Sequence, residues 1–297
     1  MGAKRVFALL LGDMDQGQVN HFQQLQEATA IAEGRRLGFD LEVTLAPAFD
    51  QPRVLVKRLL DRAAPAVDAV VTEPGNTATL NLMLNELRGK TGLIVLSAWA
   101  PTIELAAATW GAGLPMGTVS TNHRQVGEIQ GRQVNAFLPR GGRMLYVAPL
   151  HSSAAQERLE GLKAQVAGNI ELEETAAGQW IERDGRAAFE NWYRIAKARD
   201  PIVHAIAAGA DELAYGARQA CEALANAQHR DALLQAKFLG VDALPGYGQK
   251  LVKQGLLTAS VLTPANTGVA LEHLHRFWTQ GTPVPLRAFT EASPWPA

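Results

Sequence analysis

The stretch from Met144 to Leu162, MLYVAPLHSSAAQERLEGL, runs from a strand through a loop into a helix, and it narrows the choice of fold more than any other part of the chain. Met144–Ala148 is a short apolar, β-prone run that suits a strand covered on both faces. Pro149 removes a ladder hydrogen bond, and Ser152 and Ser153 are good helix N-caps. Ala154, Ala155, Leu159 and Leu162 continue as an apolar helical stripe. In open α/β sheets, ligands bind outside the carboxyl ends of strands. Arg158 falls about one turn into this helix, where its guanidinium either stays solvated or swings over that mouth. A guanidinium there offers five fixed donors to hydroxyls or carboxylates.

The same unit recurs along the chain, the signature of parallel doubly wound sheets. Strands are expected at Val6–Leu11, Leu41–Leu45, Val67–Val71, Leu93–Leu96 and Pro115–Val119. Helices are expected between them over about Asn20–Leu37, Pro52–Ala63 and Thr77–Leu87. Thr121 or Asn122 caps a further helix that runs to about Leu138. Beyond Met144–Ala148, the strands are Ile170–Thr175, Pro201–Ala207, Lys237–Val241, Leu257–Leu262 and Val284–Phe289. Their helices are Asp184–Lys197, Asp211–Leu224, Gly246–Gln254 and Asn266–Thr279. At 297 residues, two lobes are the default expectation.

Composition excludes several function classes. A formal charge of −1 gives no global attraction to nucleic acid or anionic membrane. No apolar run approaches the roughly 18 residues of a membrane span. The lone cysteine, Cys221, excludes an internal disulfide and a cysteine-cluster metal site. The start, MGAKRVFALLLGDMDQG, is read as the first buried strand rather than a leader, because Asp13 and Asp15 stand where a cleavage site would be. That leaves open both a cytoplasmic location and an exported form already processed.

No motif argues for catalysis or a cofactor. Gly111–Gly117 lacks the dinucleotide-binding spacing and precedes a strand. His273 and His275 lie two apart on a helical pattern and face different sides. His151 and Ser152 are sequence neighbours, a poor arrangement for a nucleophile and its base, and Asp13 with Asp15 reads as a polar loop rim. What stands out instead is a set of polar and aromatic residues placed just after strands. Trp99, Asp242 and Thr263 follow strands, Asn122 and Arg158 open helices, and Trp180 lies in the loop after Ile170–Thr175. Each also has a plain reading, as a packing residue or a helix cap, but together they fall on one side of a parallel sheet.

Over nearly its whole length the chain resembles the type I periplasmic binding proteins of the ribose-binding kind, whose fold lactose-repressor-like effector domains share. STNHRQVGEIQGRQV (Ser120–Val134), SSAAQERLEGL (Ser152–Leu162), ADELAYGARQA (Ala210–Ala220) and LGVDALP (Leu239–Pro245) carry the resemblance most specifically. It implies a sugar-binding arginine at Arg158, an aspartate at Asp242 and a ring-stacking aromatic at Trp180. The segment VNHFQQLQEA resembles the family's first-helix entrance and implies that Asn20 and Phe22 reach the cleft. Departures are Ala210 for an asparagine, Ser97 and Ala98 for an aspartate–arginine pair, and Thr263 for a glutamine. They imply a ligand less rich in hydroxyls than a free pentose, or one differently oriented.

The expectation is thus an α/β protein of two doubly wound, Rossmann-like lobes joined by a multi-strand hinge, the periplasmic binding protein type I fold. The lobes are expected at residues 1–120 with 264–282, and 121–263 with 283–297. The expected function is non-enzymatic binding of a small sugar-like ligand at Asn20, Phe22, Trp99, Asn122, Arg158, Trp180, Asp242 and Thr263. No cofactor, metal or nucleic acid is expected, and no membrane insertion. The implied partner is a transporter permease or a sensor protein. The alternative is the ligand-sensing effector domain of a transcriptional or signalling regulator, although no helix-turn-helix precedes Val6.

Overall fold

The computed structural model describes residues 2–12, 20–46, 54, 57, 61 and 67–296. The Asp13–Asp15 pair lies outside these residues, as does most of the helix expected over Pro52–Ala63. The chain divides into two compact units. Unit 1 comprises Met1–Thr121 and Ala265–Thr290, and unit 2 comprises Asn122–Pro264 and Glu291–Ala297.

Unit 1 is built on six parallel strands: β1 (Arg5–Leu11), β2 (Asp40–Ala46), β3 (Ala69–Thr72), β4 (Gly92–Leu96), β5 (Met116–Thr121) and β11 (Arg287–Thr290). Their order is β11-β5-β4-β3-β1-β2, so the winding reverses between β1 and β3. The alternation of side chains explains why these runs are apolar throughout. Phe7, Leu9, Val70, Leu93 and Val95 face one core. Val6, Ala8, Leu10, Ala69, Val71, Ile94 and Leu96 face the other. Helices α2 (Thr77–Leu87) and α3 (Pro101–Ala107) cover the first face, while α1 (His21–Arg36) and α10 (Asn266–Gln280) cover the second.

Unit 2 repeats the plan with a four-stranded sheet in the order β7-β6-β8-β9, made of β6 (Gly142–Ala148), β7 (Ile170–Ala176), β8 (Ala205–Ala208) and β9 (Lys237–Leu239). The winding reverses between β6 and β8. A parallel bridge from Asp242 to Leu262 leads on to β10 (Ser260–Leu262), which pairs antiparallel with β12 (Ser293–Trp295). Helices α4 (His123–Phe137) and α5 (Ser153–Gln165) lie on the Met144 and Tyr146 face. The Leu145 and Val147 face is covered by α6 (Glu182–Ala196), α7 (Asp211–Glu222) and α9 (Gly248–Lys253), with α8 (Ala227–Leu233) beside them.

The last boundary differs from expectation. Residues 283–290 were assigned by sequence to the second lobe, but β11 joins the first. Thr118 donates its backbone N–H to the Leu286 carbonyl at 3.0 Å, and Arg287–Thr290 pair in register with Thr118–Thr121. The chain therefore crosses for the third time after Thr290. The open edge of β5 offered a parallel partner, and apolar pattern alone does not say which sheet a terminal strand will join.

Glycines set how closely the helices of unit 2 approach. A Cβ on Gly127 would overlap the Arg158 carbonyl, and one on Gly161 would overlap the Arg124 carbonyl. Gly131, one turn beyond Gly127, meets Leu162 and Gln165. The backbones of α4 and α5 are therefore in contact. Gly185 against Leu213 and Gly216 against Glu182 do the same for α6 and α7.

This contact makes a prediction whose sign opposes helix propensity. Alanine favours a helix interior over glycine by about 1 kcal/mol, yet Gly127→Ala is expected to destabilise the protein by roughly 2–4 kcal/mol, because the two backbones must separate. Gly168→Ala is the control, since a Cβ there meets nothing within 4 Å, and it should change stability by less than about 0.5 kcal/mol. Urea unfolding of the two variants measures both.

Candidate functional site

In each unit the polar groups gather where the strand order reverses, at the carboxyl edge of the sheet. This is where ligand crevices of open α/β sheets form. In unit 2 the first such group is Arg158, which projects from α5 after β6 and is only 7% exposed. Its Nη1 donates to the carbonyl of Gly209, the residue just past β8, and its Nε donates to Nδ1 of His123 at 3.3 Å. The guanidinium also lies over the Trp180 ring, 5.2 Å from its centroid. The close α4–α5 approach brings about this placement, because Arg158's own carbonyl rests on Gly127.

His123 is held neutral. Burial drives its pKa well below the usual imidazole value, and the Arg158 charge adds to the shift. A neutral ring leaves Nδ1 free to accept from Arg158, so the two side chains fix each other. Asn122, immediately before it, caps α4: its Oδ1 accepts from the backbone N–H of Gln125 at 3.1 Å. Its carbonyl oxygen is thus engaged in capping, and only its amide N–H groups remain for other use.

Asp242 follows β9 in a turn where Asp242 and Ala243 have φ of 99° and 44°. It is 8% exposed and accepts a hydrogen bond from the Thr263 hydroxyl at 2.8 Å on Oδ1. Burial pushes its pKa up to about 6, opposed by the Arg158 charge and the Thr263 hydroxyl and reinforced by Glu212. Thr263 is itself 1% exposed and acts by holding Asp242.

Beneath them Asp211, at the start of α7, ties the loops together. Its Oδ1 accepts from Ser260 Oγ at 2.6 Å and its Oδ2 from the Ala243 N–H at 2.8 Å. Burial raises its pKa well above the usual range. Gly240 and Gly248 leave it no neighbouring Cβ to clash with. The carboxyl braces the strained Asp242–Ala243 turn from inside.

In unit 1, Asn20 caps α1, with Oδ1 accepting from Gln23 N–H at 3.2 Å, and Phe22 is half-buried two residues further on. Glu73 follows β3 and Ser97 follows β4. Ser97 has a φ of 56°, and its Oγ accepts from Asn266 Nδ2 at 3.0 Å.

Of the residues expected from sequence, Arg158, Trp180, Asp242, Thr263 and Asn122 are thus assembled at one edge of unit 2. Asn20 and Phe22 stand at the corresponding edge of unit 1. Trp99 follows β4 in unit 1 and is half-buried. It packs against the core on the Phe7 face, and the Arg287 guanidinium lies over its ring at 4.8 Å. That gives it a packing partner within its own unit.

His123, Asp211 and Glu73 were not singled out from sequence. Glu73 had a legible signal, since it is a charged residue directly after a fully buried strand, the rule that picked out Asp242. His123 had none, because its role depends on a neighbour 35 positions away. Among the described residues no cluster of histidine, cysteine and carboxylate side chains could hold a metal, and no helix is long and apolar enough to cross a membrane.

Residues 16–268 match the family described as periplasmic binding protein domain. No curated protein is a significant match. Among solved structures, one similar chain is an ABC transporter periplasmic solute binding protein from Actinobacillus succinogenes with bound D-allose. It shares 18% identity at a TM-score of 0.79, over 98% of this chain and 96% of that one. An ABC transporter solute binding protein from Bacillus halodurans with bound myo-inositol shares 20% identity at a TM-score of 0.75, over 98% and 94%. The fructose binding periplasmic domain of a hybrid two component system shares 19% identity at a TM-score of 0.76, over 98% and 90%. At these identities the likeness is one of fold, and the family match covers well over half of the sequence. This chain belongs to the family of periplasmic binding protein domains.

Proposed function

We propose that this protein is a non-enzymatic solute-binding protein that closes its two units on a small sugar-like ligand, for ABC-type uptake or for sensing. The observation that carries this reading is the fixed Arg158–Asp242 pair at the edge of unit 2. Arg158 spends Nε and Nη1 on His123 and Gly209, which leaves Nη2 to donate. Asp242 spends Oδ1 on Thr263, which leaves Oδ2 to accept. A sugar hydroxyl both donates and accepts, so adjacent hydroxyls match such a pair. Trp180 supplies the flat apolar surface that a sugar ring's C–H face packs against. The solved relatives named above, with D-allose, myo-inositol and fructose in their descriptions, support the same ligand class. A permease would receive the closed form in uptake. The hybrid two component relative supports a sensor protein as the other kind of partner.

Titration calorimetry with D-allose, myo-inositol, D-fructose, D-ribose, deoxysugars and amino sugars tests this. At least one is expected to bind at micromolar affinity or tighter and to be recovered unchanged. Arg158→Ala should weaken that binding by about 2–4 kcal/mol, the loss expected when a charged donor leaves its acceptors unpaired. Arg158→Lys should recover little, since a lysine cannot span the same fork. Unchanged affinity in Arg158→Ala would remove the pair from the site.

The acidity of Asp242 gives a second expected outcome. Its folded pKa of about 6 lies above the ordinary aspartate value. Its contribution to apo stability is therefore fully present below about pH 4 and lost as the pH rises through 6. Ligand donors need the ionised form, so affinity should move the other way and fall as the pH drops below 6. The groups acting on it are Arg158, Glu212 and Thr263. Asp242→Asn, which tolerates the positive φ, should flatten the pH dependence of binding measured between pH 5 and 8.

A further inference from the structure

Unit 1 carries a buried carboxyl group that the described residues partner only in part. Glu73 is 9% exposed, and its Oε2 is buried with no hydrogen-bond donor among the described residues. The Oε1 of Gln23, in the first turn of α1, is likewise buried and has no donor. Burial raises the pKa of Glu73, and the side chains of Ser97 and Gln23, which flank the carboxyl, oppose that shift. A line of polar groups leads to this point: Thr290 Oγ1 donates to Asn266 Oδ1 at 3.2 Å, and Asn266 Nδ2 donates to Ser97 Oγ at 3.0 Å. That leaves the Ser97 hydroxyl proton free to point at Glu73, and one carboxyl oxygen still unserved.

Among the described residues, no cation is among the groups that act on Glu73. In unit 2, by contrast, Asp242 has Arg158 as its opposite charge. A buried carboxylate without a cation is costly, and buried polar atoms without partners are rare unless something else fills them.

We propose that the solute is a sugar-like molecule bearing a basic nitrogen, an amino sugar or amino-cyclitol, and that Glu73 receives its ammonium group. This rests on the sugar-binding reading above and narrows it. An ammonium has three donors, enough for both Glu73 Oε2 and Gln23 Oε1, and it supplies the missing positive charge. A hydroxyl supplies a single donor and no charge.

Calorimetry on the full chain with matched pairs decides this: D-glucosamine and D-glucose, D-galactosamine and D-galactose, D-mannosamine and D-mannose, with D-allose and myo-inositol as further neutral probes. At least one amino sugar is expected to bind about thirtyfold or more tightly than its neutral counterpart. Glu73→Gln should abolish that preference, with the loss falling on the amino sugar, and it should keep or raise the melting temperature of the apo protein. If the neutral sugars bind at micromolar affinity with no amine preference, the inference fails and the sugar-binding reading stands. If no member of either set binds, both fail. A lower melting temperature in Glu73→Gln, with the amine preference intact, would make Glu73 a brace of the fold and overturn the assignment.

Discussion

The backbone contact between α4 and α5, at Gly127, Gly131 and Gly161, sets the position of Arg158 and His123 at the edge of unit 2. A helix pair separated by ordinary side chains would stand several ångströms further apart. Arg158 would then be carried away from the Gly209 carbonyl, and His123 away from Arg158. The glycines thus act on the site without touching any ligand. They convert a long, flexible arginine into a fixed fork, whose ordering cost is met during folding rather than at binding.

Charge is handled differently in the two units. In unit 2 the acidic groups Asp211 and Asp242 are buried together, yet each is tied in: Asp211 to Ser260 and the Ala243 N–H, Asp242 to Thr263 and the field of Arg158. The result is a cluster whose polar atoms brace one another and hold a strained turn in place. Among the described residues of unit 1, the buried carboxyl is Glu73, which follows β3 and is flanked by the neutral side chains of Ser97 and Gln23. Among the described residues, an opposite charge acts on the buried Asp242 of unit 2 and none on the buried Glu73 of unit 1.

Most of the fold was legible because strands buried on both faces read as continuous apolar runs, such as Met144–Ala148 and Leu93–Leu96, and glycines punctuate the helices between them. The short helices Pro101–Ala107 and Ala227–Leu233 were not, since seven residues carry too little periodicity to separate from a loop. Val284–Phe289 was recognisable as a strand, but its sheet was not, because membership depends on a vacant edge far away in sequence. At the site, the placements of Arg158, Asp242 and Trp180 followed from residues standing just after strands. Trp99 obeys the same rule, and its neighbours, Arg287 and the Phe7-face core, were not legible from the sequence. Local position says where a side chain starts and leaves open which way it turns.

The three chain crossings have a consequence for how such a molecule is made. Neither unit is a continuous stretch: unit 1 takes back Ala265–Thr290, and unit 2 then takes Glu291–Ala297. A ribosome releasing this chain from its amino end thus delivers unit 1 without α10 and β11, so α1 alone covers the Val6 face until Asn266–Thr290 have emerged. Both units are completed by the last few dozen residues. Loss of Ala265–Trp295 would therefore leave both cores incomplete rather than one unit sound and one damaged.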